Sequence, residues 1–409
     1  MMMEENMITE KRFKLRFSGF DDEWKKCKLK EISNIQDGTH ATPNYTDEGI
    51  PFYSVETITS DAPPKFISNE EHQKLIKRCE PKFGDILLTR IGTLAKSKIV
   101  DWHEEFSIYV SLALLSEIKI NNKFLNQYIQ TEIYQKEFLK RSLLLAIPQK
   151  INLKDLNETI IKYPSKKEEE KIANFLDLID KKIELLTHKY KKYVSFKKYL
   201  MQQIFTQKLR FDFEDEWETY LLKDIGKTFN GLSGLSKDNF EKGNSKYITY
   251  KSIFDNNILK SNFTENVELN NKTQNEVKKG DLFFTGSSET PEEVGMVSVL
   301  DQTVKNCYLN SFCFGFRLNN ERTINPLFLA YYLRSPKMRK KIMVLAQGST
   351  RFNLPKKEIL KLKIELPSIN EQEQIINLFQ NVDPKLNEIS MQTDKLKEFK
   401  KGLLQQMFV

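Results

Sequence analysis

PSKKEEEKIANFLDLIDKKIELLTHKYKKYVSFKKYLMQQIF, residues 164–205, is answered by PSINEQEQIINLFQNVDPKLNEISMQTDKLKEFKKGLLQQMF, residues 367–408. Pro164 pairs with Pro367, Glu168 with Glu371, Ile172 with Ile375 and Asp180 with Asp383, at one constant offset of 203 residues. The closing phrases FKKYLMQQIF (196–205) and FKKGLLQQMF (399–408) share seven of ten letters. In the first copy Ile172, Leu176, Ile179, Ile183, Leu186, Tyr190, Tyr193, Leu200 and Ile204 follow steps of four and three. In the second, Ile375, Phe379, Val382, Leu386, Ile389, Leu396, Leu403 and Met407 take the same slots. Lys197 and Lys400 fill the one slot that is polar in both, and Thr393 interrupts the second. An apolar period of 3.5 residues over this length predicts a coiled-coil seam, two copies in one register packing on each other. The alternative is that each helix packs only on its own domain.

Asp383 is a suitable N-cap and Pro384 suits a first helical turn. Each arm is therefore expected as a short helix, a break near Asp180 or Asp383, and a long helix. A long helix of about 25 residues would span about 37 Å. An antiparallel pair lets each intervening segment bridge neighbouring helix ends; a parallel pair would force every bridge across a full helix length.

Weaker echoes lie outside the helices. KLRFSGFDDEW (Lys14–Trp24) matches KLRFDFEDEW (Lys208–Trp217), GDILLT from Gly84 matches GDLFFT from Gly280, and KINL from Lys150 resembles RFNL from Arg351. A repeat of this size is a domain duplication, since solenoid units are typically about 20–50 residues. The first FKK phrase runs into KLRF, whereas the second meets its KLRF back at the N-terminus. The order is that of a ring cut once, and Val409 is expected near Lys14. The fold class is α+β with pseudo-two-fold symmetry: segment 1–19 completing the second helical region, globular segment 20–165, helical region 166–210, globular segment 211–368 and helical region 369–409.

The 409 residues exceed one ordinary core. No run approaches the roughly 18 apolar residues of a membrane helix, and the N-terminus shows no secretory signal. Cys27, Cys79, Cys307 and Cys313 form no CxxC pair and no metal-like cluster with His40, His72, His103 or His188, so unpaired thiols in a reducing cytosol are expected. The net charge of +8, from 64 Lys plus Arg against 56 Asp plus Glu, weakly favours a polyanionic partner and equally suits a lysine-rich solvated surface.

In the globular segments GDILLTRIG and GDLFFTGSS read as strands entering loops, and SKIVDW, LALLSEIKI and MVSVL as strands. FLNQYIQTEIYQKEFLKRSLL and PLFLAYYLRSPKMRKKIMVLA read as helical, with Asn325 as a cap and Pro326 in the first turn. Candidate nucleic-acid contacts fall in matching loops: Thr89, Arg90, Lys96 and Lys98 against Thr285, Ser287, Ser288 and Thr290, then Gln149 and Lys150 against Ser349, Thr350 and Arg351. Hydroxyls suit phosphates, and Arg and Gln read base edges bidentately; for any single one, a solvated loop residue is the alternative. The segments differ from each other far more than the helices do, as two recognition tasks or neutral drift would leave them. No GxxxxGK[ST] loop, HExxH motif or glycine-rich nucleotide loop is present. NPLF at Asn325 lacks the second proline of an amino-methyltransferase loop.

Two divergent segments alternating with two near-identical helical ones resemble the specificity subunit of Type I restriction–modification enzymes. The openings at Pro164 and Pro367 resemble that family's PLPxxEQxxI feature: Glu371-Gln372 matches, and Glu168-Glu169 replaces the Gln with Glu. GDILLTRIG and QGSTRFNL resemble its target-recognition domains, with Gly286 departing where the first copy has Arg90. The resemblance implies a non-catalytic DNA-binding chain. It would hold two target-recognition domains, separated by an antiparallel two-helix coiled coil. Each domain would bind one half of a bipartite asymmetric site on double-stranded DNA. The helix pair would fix the spacer, where about 34–36 Å is one DNA turn. Two modification subunits carrying S-adenosylmethionine would flip out adenines for methylation; restriction subunits would bring ATP and Mg. Lys197, Lys198, Gln202, Gln203, Lys400, Lys401, Gln405 and Gln406, repeated off the seam or in its polar slot, are the candidate partner contacts. Two rivals stand beside this reading: a self-sufficient DNA methyltransferase, and a coiled-coil scaffold with no DNA role.

Overall fold

The computed structural model describes residues 15–60, 62–269 and 273–408. They divide into two units, one running to Thr187 and resuming at Met391, the other His188–Ser390. In the first unit Ile86–Thr89 is buried at every position, as the apolar run Ile86–Leu88 favours, with the Thr89 hydroxyl satisfied by the Lys96 amide. It lies between Ser97–Ile99 and Leu112–Ser116, with Asn34–Asp37 next, in an antiparallel sheet. A smaller sheet joins Tyr45–Thr46, Lys65–Ile67, Ile50–Tyr53 and Ser107–Ile108. Helices Asn122–Ile129 and Glu132–Lys140 are capped by Asn121 and Thr131, whose side chains accept from the Phe124 and Tyr134 amides. Phe124, Leu125, Tyr128, Tyr134 and Phe138 on them share one core with Ile86, Leu88 and Leu115.

The second unit repeats the plan. Leu282–Thr285, again fully buried, lies between Cys313–Leu318 and Val297–Leu300. Gly226–Asn230 and Ile258–Leu259 complete this sheet. Registers correspond: Thr89 faces Leu112, and Thr285 faces Cys313. Helix Pro326–Arg334 begins as the sequence predicts, with Asn325 Oδ1 accepting from the Leu327 amide at 3.0 Å and proline in the first turn. Ser335 and Pro336 end it and start helix Pro336–Val344, so each stretch read as helical is in fact two helices. This is the α+β architecture with two mixed domains that the sequence implies.

Both units are locked by three side chains in equivalent places, of which two, an arginine and a glutamate, are identical. Arg16 grips Glu168 with two nitrogens, each 2.8 Å away, and also donates to the Asp22 carbonyl. Arg210 grips Glu371 at 3.1 and 2.8 Å and donates to the Asp215 carbonyl. Glu169 accepts from the Asn121 amide at 2.8 Å, and Gln372 from the Asn325 amide at 2.9 Å. The departure of Glu169 from glutamine thus keeps the acceptor role. The KLRF echo is explained: its arginine anchors the start of the long helix in each unit. The meeting expected of Val409 and Lys14 lies outside the described residues; beside it, the Leu15 amide donates to the Gln406 carbonyl at 3.1 Å.

The long helices are Lys166–Phe205 and Ile369–Met407. In the first unit Ile172, Leu176 and Ile179 share a core with Leu403, Met407 and Phe408. In the second, Leu200, Ile204 and Phe205 share one with Ile375, Phe379 and Val382. Start therefore packs on end in each unit. Most seam positions are buried, while Leu178 and Leu185 off the seam are 66% exposed. The expected breaks at Asp180 and Asp383 are corrected: both helices run unbroken, the second with Pro384 inside. A proline removes one donor, but Phe379 and Val382 on the preceding turn are fixed in the core. Asp383 caps nothing; it accepts from the Tyr331 hydroxyl at 2.8 Å and pairs with Lys197 at 2.5 Å.

Candidate nucleic-acid interface

In both units a turn closed by Gly-Asp launches the central strand. Gly84 and Gly280 have φ of +90° and +88°, the left-handed region that favours glycine. Asp85 and Asp281 accept from the Lys82 and Lys278 amides at 2.8 and 2.7 Å. At the far end Thr89 Oγ1 accepts from the Lys96 amide, and Thr285 Oγ1 from the Met296 amide, both at 2.8 Å. Each threonine is fully buried and closes the loop that follows its strand. A second loop is stitched alongside. The Ile151 amide donates to the Arg90 carbonyl and the Gly92 amide to the Gln149 carbonyl; in the other unit the Leu354 amide donates to the Gly286 carbonyl.

Most of the sequence candidates are thus brought to one edge in each unit, in two groups; Lys98 lies instead within the neighbouring strand, opposite Leu87, its ammonium 5.1 Å from the Trp102 ring centre. Lys96, Lys98, Gln149, Thr290, Ser349, Thr350 and Arg351 are exposed and Lys150 is half-buried. Thr89, Arg90, Thr285, Ser287 and Ser288 are buried, so these five are corrected from surface contacts to supports of the loops. Arg90 donates to Asp37 at 3.2 Å and to the Val110 and Ile151 carbonyls at 2.9 and 3.3 Å, and burial lowers its pKa. Ser287–Ser288 pairs with Phe352–Asn353, and Ser288 Oγ donates to Glu293 at 2.8 Å.

The helical candidates divide in the same way. Lys400 is buried, 2.7 Å from Asp180 and 3.1 Å from the Gln130 side chain. Lys197 is half-buried against Asp383, its ammonium 5.5 Å from the Tyr331 ring centre. These two are corrected from partner contacts to internal ion pairs. The pairs are equivalent, each lysine reaching the aspartate that begins its partner helix's middle turns. Lys198, Gln202, Lys401, Gln405 and Gln406 are exposed and Gln203 is half-buried; Gln405 donates to Glu132 at 2.8 Å. Phe196 and Phe399, 49% and 54% exposed, are equivalent to each other and were not singled out from sequence, although the repeated phrase begins with them. Asp37, Phe312 and Tyr250 at the loop edges carried no such repeat. Among the described residues no group of His, Cys, Asp and Glu could hold a metal ion, and no helix is long and apolar enough to cross a membrane.

The family described as Type I restriction modification DNA specificity domain matches residues 21–192 and again 214–398. A relative from Methanocaldococcus jannaschii, provisionally named as the type I restriction enzyme MjaX specificity subunit, is 25% identical over 198 residues. That match takes in 47% of this chain and 46% of the relative, so the chain spans about half the length of the curated relative it matches. Among solved structures, the S subunit of the Type I restriction–modification system of M. genitalium aligns with a TM-score of 0.62 at 15% identity, over 97% of this chain and 99% of that one. A chain from a structural study of complex assembly and conformational transition of the type I R-M system gives 0.55 at 15%, over 95% and 98%. At that identity the likeness is one of fold.

Proposed function

The chain belongs to the Type I restriction–modification DNA specificity family, whose members recognise DNA and are not the catalytic components, and on that premise we propose that it is the sequence-choosing subunit of such a complex. Each domain, 20–165 and 211–368, binds one half of a bipartite, asymmetric site on double-stranded DNA. The helical regions 166–210 and 369–409, with segment 1–19, set the spacer. They also dock two adenine-methyltransferase subunits that carry S-adenosylmethionine. Restriction subunits using ATP and Mg join the same complex, in the cytoplasm.

The observation that carries this reading is unequal divergence. The two units keep one loop platform, built on the Gly-Asp turn and the inward threonine, yet present different exposed side chains on it. One offers Lys96, Lys98 and Gln149, with Lys150 half-buried beside them; the other offers Thr290, Ser349, Thr350 and Arg351. Lysines and short hydroxyls suit phosphates, while Gln and Arg suit base edges. The helices do the reverse. Lys198, Gln202 and Gln203 recur as Lys401, Gln405 and Gln406 although no seam requires them, as a surface used twice by one partner would.

Sequencing the methylome of cells that carry this chain with its modification subunit tests the reading. It predicts adenine methylation at a motif of two short unlike halves with a fixed gap. Methylation at one uninterrupted motif, or by the chain without the modification subunit, contradicts it.

A further inference from the structure

At the position where the first unit buries Arg90, the second has Gly286. The exchange reaches further. Asp37 faces Ala113 in one sheet, where Asn230 faces Phe314 in the other. The arginine–aspartate pair that fills the first loop edge is therefore absent from the second. At the place of Asp37, Asn230 accepts from Lys356. The loop that follows Gly286 borders a concavity of about 360 Å³, lined by Tyr250, Phe254, Ser287, Ser288, Glu293 and Arg351, with Phe312 and Glu289 completing its wall. Gly286 is needed there: a Cβ on it would fall 2.7 Å from the Phe312 carbonyl. Its amide donates to that same carbonyl at 2.8 Å, which fixes Phe312 at the rim.

Arg351 is the unusual arginine of this unit. Arg210 and Arg317 hold carboxylates, and Arg334 and Arg339 hold main-chain carbonyls. The Arg351 guanidinium makes no such bond among the described residues. It rests 5.2 Å from the ring centre of Phe312, itself 55% exposed. Stacking on an aromatic face holds a planar guanidinium while leaving its paired donors open. Two parallel donors at fixed spacing match the O6 and N7 acceptors that guanine alone presents together in the major groove.

We propose that this concavity is a base-reading site, in which Arg351 reads one guanine of the second domain's half-site and Phe312 is the residue that positions it. This rests on the reading of the second domain as a DNA reader and adds to it a residue, a base and a platform. Arg322, the other arginine of the unit without such a bond among the described residues, sits instead beside Thr323 and Pro367, ahead of the second long helix.

The test compares wild-type chain with R351A, R351K, F312A and F312Y, each assembled with its modification subunits, by methylome motif and by binding to duplexes carrying every base at each half-site position. Substituting R351A lowers discrimination at one guanine roughly 5- to 150-fold and leaves the other half-site unchanged. R351K keeps the charge and the salt dependence but loses the same guanine. F312A weakens that guanine preference roughly 2- to 5-fold, and F312Y restores it. Equal weakening on all sequences with the motif unchanged would make Arg351 a phosphate contact and overturn the proposal, as would a half-site with no specified guanine. A wild-type complex with no sequence preference would instead overturn the reading beneath it. Unfolding midpoints matching wild type confirm that each variant reports on recognition.

Discussion

Glutamate 169 and Gln372 occupy equivalent places at the starts of the long helices, and the chain therefore contains its own control for Glu169→Gln. Glu169 is 3% exposed, and burial raises its carboxyl pKa above the usual range. Its oxygen accepts from the Asn121 amide, a bond that a glutamine carbonyl keeps, as Gln372 does with Asn325. Gln372 adds two donor bonds that a carboxylate cannot make, to the Pro367 carbonyl at 2.9 Å and the Thr323 carbonyl at 3.1 Å. At about 0.5–1.5 kcal/mol each, two new bonds stabilise the first unit by about 1–3 kcal/mol. For a unit of this size that is a rise in unfolding midpoint of roughly 2–12 °C. The pH dependence has a definite sign. A carboxyl whose folded pKa is raised contributes stability below its ordinary pKa and loses it as pH rises through the folded value. The advantage of E169Q over wild type should therefore be smallest near pH 4 and grow toward pH 8. Thermal unfolding of the full chain across that range measures it. A variant less stable than wild type at pH 8, or an advantage that does not change with pH, would refute the argument. The reverse change, Q372E, should destabilise the second unit with the opposite pH trend.

Arg210→Ala leaves the almost fully buried Glu371 carboxylate without its bidentate partner and should cost about 3–5 kcal/mol in denaturant unfolding; a double-mutant cycle with Glu371→Gln should recover part of that loss. Lys198→Glu and Lys401→Glu, made singly, should each weaken one of two modification-subunit docking events, seen as a shift from two bound subunits toward one in native mass spectrometry. Lys96→Gln and Lys98→Gln should lower affinity evenly across DNA sequences and flatten the log affinity–log salt slope by about one each.

The sequence declared the duplication, the seam slots and the Asn325–Pro326 helix start because each is local or periodic. What it hid was partnership at long range. Lys197 and Lys400 are polar letters in an apolar slot, and their aspartates, Asp383 and Asp180, lie in the other helix. The hydroxyls of Thr89 and Thr285 look like surface groups until the strand end turns them inward to receive the Lys96 and Met296 amides. Local propensity placed a helix start at Asp383–Pro384, but tertiary packing of Phe379 and Val382 outweighs one missing donor. Phe312 carries no repeat at all: its carbonyl accepts from the Gly286 amide where that of Ser111 accepts from Arg90, and the two side chains share nothing.

The central claim is that one duplicated scaffold holds two unlike readers at a distance set by the long helices. Its most direct measurement removes one heptad from each helix, 186–192 and 389–395, and compares the methylated motif of the variant with that of the wild-type complex. The account predicts a changed gap between two unchanged half-site sequences. A variant that still methylates with the original gap, or with altered half-sites, would contradict it.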